Sequence, residues 1–149
     1  MCSGTSRLSN KKITKQDIKQ KFVGNPQQGN TRIINQLIHP DYVQTNQVCM
    51  GITELIENGN WNTMPCHTHE RRMEAYLYFD LPVTDIVVHL MGQSQETRSL
   101  IVKNNEVVLS PPWSIHCGVG TTSYSFVWGM AGEDFNWDDM QIVKPTDLL

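Results

Sequence analysis

Ser123-Tyr124-Ser125-Phe126-Val127-Trp128 sets three aromatic residues in alternation with two serines and a valine. Side chains in a strand point to opposite faces in turn, so Tyr124, Phe126 and Trp128 share one face, which predicts a core. Shorter apolar or alternating runs recur outward from this stretch, at 32–38, 48–56, 74–81, 85–91, 100–103, 107–109 and 124–130, each bounded by turn residues. That spacing predicts an all-β sandwich or barrel. Leu100-Ile101-Val102-Lys103 and Glu106-Val107-Val108-Leu109 flank Asn104-Asn105. Asn tolerates the positive φ of a two-residue turn, so a β-hairpin is expected there. Neither sustained helical periodicity nor an internal repeat is found.

The chain has 149 residues, enough for one domain and its core. Hydrophobic residues make up 39% and charged residues 18%, too apolar for a disordered chain. No run approaches the roughly 18 apolar residues that span a bilayer, and the polar start lacks the apolar block of a secretion signal. The expected address is the cytoplasm, with no membrane partner. A formal charge of −3 provides no cationic field for phosphate backbones, which argues against nucleic acid. Cys2, Cys49, Cys66 and Cys117 lack CxxC spacing and are read as thiols. Residues 1–31, rich in Ser, Asn, Lys, Gln and Gly, are expected to form an arm or linker, and 32–149 the folded domain. The acidic tail 132–139, which carries Trp137, is read as a solvated edge.

The most informative segment is Met64-Pro65-Cys66-His67-Thr68-His69-Glu70-Arg71-Arg72-Met73-Glu74, joined far downstream by Pro111-Pro112-Trp113-Ser114-Ile115-His116. His67 and His69 fall on one face of a strand, whereas Glu74 would face away unless a turn intervenes. Glu70-Arg71-Arg72 suits such a turn, after which Glu74, Tyr76 and Tyr78 return to the histidine side. His116 completes a candidate metal site of His67, His69, Glu74 and His116. Cys66 and Cys117 adjoin two of these ligands, and alternation turns both away. His39 and His89 have no partners at useful spacing. This pattern resembles the cupin signature, which implies a double-stranded β-helix, or jelly roll. Imidazoles and a carboxylate suit Zn²⁺, Fe²⁺, Mn²⁺ or Ni²⁺.

The stretch 61–74, together with Met91-Gly92-Gln93-Ser94-Gln95-Glu96-Thr97-Arg98, residues 110–120 and Trp128-Gly129-Met130-Ala131-Gly132-Glu133, resembles the 5-keto-4-deoxyuronate isomerase family in the same order. The resemblance runs from about Lys11 to the end and covers only the second, metal-bearing half of a family roughly twice as long. It implies that the residues matching His67, His69, Glu74 and His116 bind zinc. It also implies interconversion of 5-dehydro-4-deoxy-D-glucuronate and 3-deoxy-D-glycero-2,5-hexodiulosonate in pectin-type uronate breakdown. A divalent cation can stabilise the enediolate expected in such an aldose–ketose exchange. Glu70, Glu96, Tyr76, Tyr78 and Tyr124 are candidate proton carriers, and Arg71, Arg72 and Arg98 candidate partners of the substrate carboxylate. Glu96, Arg98 and Tyr76 are taken as the catalytic candidates. The missing half implies a homo-oligomer or a separate N-terminal partner. Competing readings are an Fe²⁺ cupin oxygenase and a non-catalytic module that binds a sugar acid.

Overall fold

The computed structural model describes residues 8–56, 58–133 and 139–149. Strands numbered in chain order build two main sheets. In the first, β1 (Lys19–Val23), β2 (Arg32–Ile38), β3 (Val48–Leu55), β11 (Ser125–Gly132), β6 (Arg72–Phe79) and β9 (Val107–Ser110) lie side by side in that order. In the second the order is β4 (Trp61–Asn62), β10 (Ile115–Gly120), β7 (Val87–Gln93) and β8 (Glu96–Val102). A short pair, β5 (His67–Thr68) with β12 (Gln141–Ile142), forms a two-stranded sheet of its own. Every ladder is antiparallel. The expected jelly roll is the fold observed, and no helix among the described residues is long and apolar enough to cross a membrane.

Alternation fills the core as the sequence predicts. Tyr124, Phe126 and Trp128 are buried, as are Tyr76 and Tyr78 on the neighbouring β6, and they pack with Val87 and Val102 of the second sheet in one cluster. Trp128 pairs with Gly51 across the β3–β11 ladder. A Cβ at Gly51 would stand 2.2 Å from the Trp128 ring and 2.5 Å from the Asn35 carbonyl, so only glycine leaves room for the indole.

Two expectations are corrected. Asn104-Asn105 does form a turn, with Asn105 at φ 63° and the Glu106 N–H donating to the Lys103 carbonyl at 3.2 Å. Its flanking strands do not pair, however: β8 joins β7 and β9 joins β6, so the turn carries the chain from one sheet to the other. Turn chemistry fixes the local reversal and leaves open which strand each arm pairs with. β7 and β8 form the hairpin instead, closed by Ser94-Gln95 between the paired Gln93 and Glu96. The polar lead also differs from a free arm, because Lys19–Val23 is a sheet edge registered on β2 from Lys19↔Gln36 to Val23↔Arg32. None of its residues is buried, so it carries no burial pattern to read, and its lysines suit an exposed edge. Trp137 and Cys2 lie outside the described residues.

A polar chain crosses the barrel interior. The Asn62 amide donates to the Tyr124 hydroxyl at 2.9 Å and reaches the Tyr78 hydroxyl at 3.3 Å, which sits 2.6 Å from His89 Nδ1. Burial, with a smaller push from His116, draws the His89 pKa down to about 4 from its ordinary 6.5. The unfolded chain therefore takes up the proton first as pH falls. His89 should thus cost stability progressively between pH 6.5 and about 4, by about 3 kcal/mol in all. Chemical denaturation across that window should show a shallower pH slope for His89→Gln than for the wild type; equal slopes would refute the assignment.

Candidate metal centre

His67 comes from β5, and His69 follows it directly. Bends at Glu70 and Arg71 then reverse the strand phase, as expected, so that β6 presents Arg72, Glu74, Tyr76 and Tyr78 inward on alternate positions. His116 arrives on β10, from the other sheet, beside Met91 of β7. One ligand atom from each of His67, His69, Glu74 and His116 lies within 4.8 Å of the other three. His69, Glu74 and His116 are buried, while His67 is half-buried at the cavity wall.

The nitrogens of these rings are placed to receive a cation. His116 Nε2 is 2.9 Å from Glu74 Oε2 and 3.1 Å from His67 Nε2. His69 Nε2 stands 3.7 Å from the same carboxylate oxygen and has no hydrogen-bond partner, although it is buried. The outer nitrogen of each ring faces an oxygen: His67 Nδ1 the Pro65 carbonyl at 3.5 Å, His116 Nδ1 the Ser114 carbonyl at 3.3 Å, and His69 Nδ1 Asp139 at 3.1 Å. With Nδ1 protonated, His67 and His116 satisfy these carbonyls, and the Nε2 atoms of all three rings converge beside one carboxylate. Such a donor set is costly to bury unless a divalent cation is shared among them. Burial first, then the neighbouring His116 and His69, bring the His67 pKa down to about 3, so the ring is a neutral ligand at neutral pH. Burial pushes the Glu74 carboxyl up, but the surrounding histidines outweigh it and hold the group ionised.

Asp139 was hidden in the acidic tail that reads as solvated. In the fold its carboxylate is nearly buried, accepts from Arg72 Nη2 at 2.6 Å and orients His69. Arg72 Nε–H also donates to His69 Nδ1 at 3.2 Å, so the guanidinium and the Asp139 carboxylate both hold that ring. The available signal was Arg72 itself, two residues before Glu74 and hence on the same inward face of β6. Carboxylates that anchor a liganding histidine typically contribute about 10- to 100-fold to metal affinity. Asp139→Ala should weaken zinc binding by about that factor in a chelator competition, and unchanged affinity would deny it this role.

A cavity of about 300 Å³ opens on the cluster, lined by His67, His69, Glu74 and Tyr76 with Phe126, Trp128, Met140 and Ile142. Tyr76, one of the catalytic candidates, lines this cavity. Its hydroxyl is 3.2 Å from Thr63 Oγ1, and burial holds its pKa well above the ordinary range, so it stays protonated. Glu96 and Arg98 are not brought to the cavity. Both side chains point to solvent from the edge strand β8, about 70% exposed, where they pair with each other at 2.5 Å. Glu70 and Arg71 are exposed in the bend, with Glu70 accepting from Gln141 at 2.7 Å. Cys66 and Cys117 are buried free thiols outside the converging set, and His39 and His89 are buried away from it.

Residues 2–144 match the KduI/IolB family. The chain is 49% identical over 139 residues to the 4-deoxy-L-threo-5-hexosulose-uronate ketol-isomerase of Edwardsiella ictaluri, covering 93% of this chain and 50% of that protein. It thus spans about half the length of the curated relatives it matches. Among solved structures, an IolB-like protein from Salmonella typhimurium superposes with TM-score 0.76 at 15% identity, over 94% of this chain and 56% of the other. A variant oxalate decarboxylase from B. subtilis superposes with TM-score 0.66 at 11% identity, over 93% and 33% respectively.

Proposed function

The chain belongs to the KduI/IolB family, and from that premise we propose that it is a metal-dependent aldose–ketose isomerase of uronate breakdown. Its proposed reaction interconverts 5-dehydro-4-deoxy-D-glucuronate and 3-deoxy-D-glycero-2,5-hexodiulosonate, in keeping with the ketol-isomerase name of its relatives. The observation that carries the reading is the convergence of three Nε2 atoms and one carboxylate, of which His67, His69 and Glu74 line the cavity. His67, His69, Glu74 and His116 would hold the ion, with Zn²⁺ the first choice from the resemblance. A divalent cation there supplies Lewis-acid polarisation of a carbonyl and stabilises developing oxyanion charge.

The chain's own groups do the rest. Tyr76, kept protonated by burial, can donate a hydrogen bond to a substrate oxygen beside His116, whose ring centroid lies 5.8 Å from its own. Asp139 and Arg72 fix the His69 ring. Trp128, Met140 and Ile142 make the cavity wall apolar and limit water around the reacting carbons. Leu77, Val107 and Leu109 are exposed along the β6–β9 edge, a surface suited to a second copy or an N-terminal half.

The test is turnover of 5-dehydro-4-deoxy-D-glucuronate by the purified, zinc-loaded chain, followed by NMR of the ketose product. Product formation abolished by a chelator and restored by zinc is the expected result. The second reading is a module that binds a sugar acid without converting it. Saturable binding with no turnover, alone or mixed with an N-terminal half, would put that reading first.

A further inference from the structure

Arg32 opens β2, and its side chain lines the same cavity as the imidazole cluster. Strand register sets it far from Glu74 across the sheet. Arg32 is level with Leu55 at the end of β3, whereas Glu74 is level with Met130 on β11 and, through it, with Cys49 near the start of β3. The cavity therefore carries a metal-ligand cluster toward one end and a guanidinium toward the other, with Ile34, Phe126 and Trp128 in the wall between them. No acidic side chain among the described residues pairs with Arg32; its protein hydrogen bond is from Nη1 to the Asn30 carbonyl at 2.7 Å.

That single contact is itself built. Asn30 is buried, its side-chain oxygen accepts from the Asn25 N–H at 2.7 Å, and its carbonyl presses on Gly24. Gly24 sits at φ +98°, where a Cβ would meet the Asn30 oxygen at 2.2 Å, so glycine is required for this close approach. The bracket holds one arm of the guanidinium and leaves its remaining N–H donors to the cavity. A half-buried arginine without an acid partner is costly, and a carboxylate ligand supplies what is missing in two-pronged geometry.

We infer that Arg32 is the residue that binds the carboxylate of a sugar-acid substrate, and so selects uronates over neutral sugars. The inference rests on the proposed isomerase reading for its substrate class, and it replaces the exposed Arg98 in that role. The experiment uses the zinc-loaded chain and stable probes, D-galacturonate against D-galactose, with calorimetry for binding and atomic absorption for zinc content. The wild type should bind the acid at least tenfold tighter than the neutral sugar. Arg32→Gln should lose that preference while keeping its zinc, and Arg32→Lys should retain only part of it, since the charge remains without the fork. In turnover of the uronate substrate, Arg32→Gln should raise KM at least tenfold and change kcat less than threefold.

Undiminished acid preference in Arg32→Gln overturns the inference, as does a wild type that does not distinguish the two sugars. If Arg32→Gln fails to fold, Arg32→Lys decides, and full preference in that variant overturns the fork. Arg32-dependent binding of the acid without any turnover would defeat the isomerase reading and leave this one standing. Wild-type turnover with KM unchanged in Arg32→Gln would do the reverse.

Discussion

His116→Ala is expected to lower zinc affinity by roughly a hundredfold and to abolish isomerase activity at micromolar zinc. Binding free energies of about 10–16 kcal/mol for four-ligand zinc sites come to about 3 kcal/mol per ligand, which is that factor in affinity. His116 is the ligand most tightly engaged in the cluster, since its Nε2 approaches both Glu74 and His67 within 3.1 Å. Its Nδ1 is anchored on the chain two residues back, at Ser114. No other described histidine can replace it: His89 is committed to Tyr78, and His39 stacks on Tyr42. Glu74→Gln should show a similar loss, because an amide has no charge to offset the cation. Competition against a chromophoric chelator measures both. Wild-type affinity in either variant, with the fold intact by circular dichroism, would remove the metal centre, and wild-type turnover in metal-depleted Glu74→Gln would remove metal-assisted isomerisation as well.

The part of the cluster formed by His67, His69 and Glu74 was legible because its geometry is local, whereas His116 comes from the other sheet and was joined to it only through the resemblance to the cupin pattern. His67 and His69 need only a strand, Glu74 needs one bend, and the bend falls on the polar run Glu70-Arg71. The aromatic face of β11 was legible for the same reason, since period-two alternation says which side of a strand is buried. Alternation does not say which strand lies alongside, which is why Asn104-Asn105 reads as a hairpin although its arms enter different sheets. Charged residues are illegible in a related way. Arg98 and Arg32 both sit on strands, and only the sheet order places one on an outer edge and the other in the cavity wall. Asp139 reaches His69 from 70 residues away in sequence, a contact that no spacing rule encodes.

The largest stability change is expected at Phe126→Ala, about 3–5 kcal/mol, or roughly 10 °C in Tm for a chain of this size. Phe126 is 1% exposed and stands at the centre of the ring cluster, with Tyr76 at 5.0 Å, Tyr78 at 5.8 Å and Tyr124 at 6.4 Å between centroids. Its strand lies between β3 and β6, so neighbouring side chains are held on both sides and have little freedom to collapse into the space left. Phe126 also lines the cavity, and the enlarged space would loosen Tyr76 beside the candidate metal centre. Phe126→Leu fills much of that volume and should cost less than half as much. Val83, 99% exposed, serves as the control: Val83→Ala should change stability by less than about 0.5 kcal/mol. Denaturant unfolding of the three variants decides the matter. A Phe126→Ala midpoint close to that of Val83→Ala would mean that the ring cluster does not hold the two sheets together, and the support it gives to Tyr76 would fall with it.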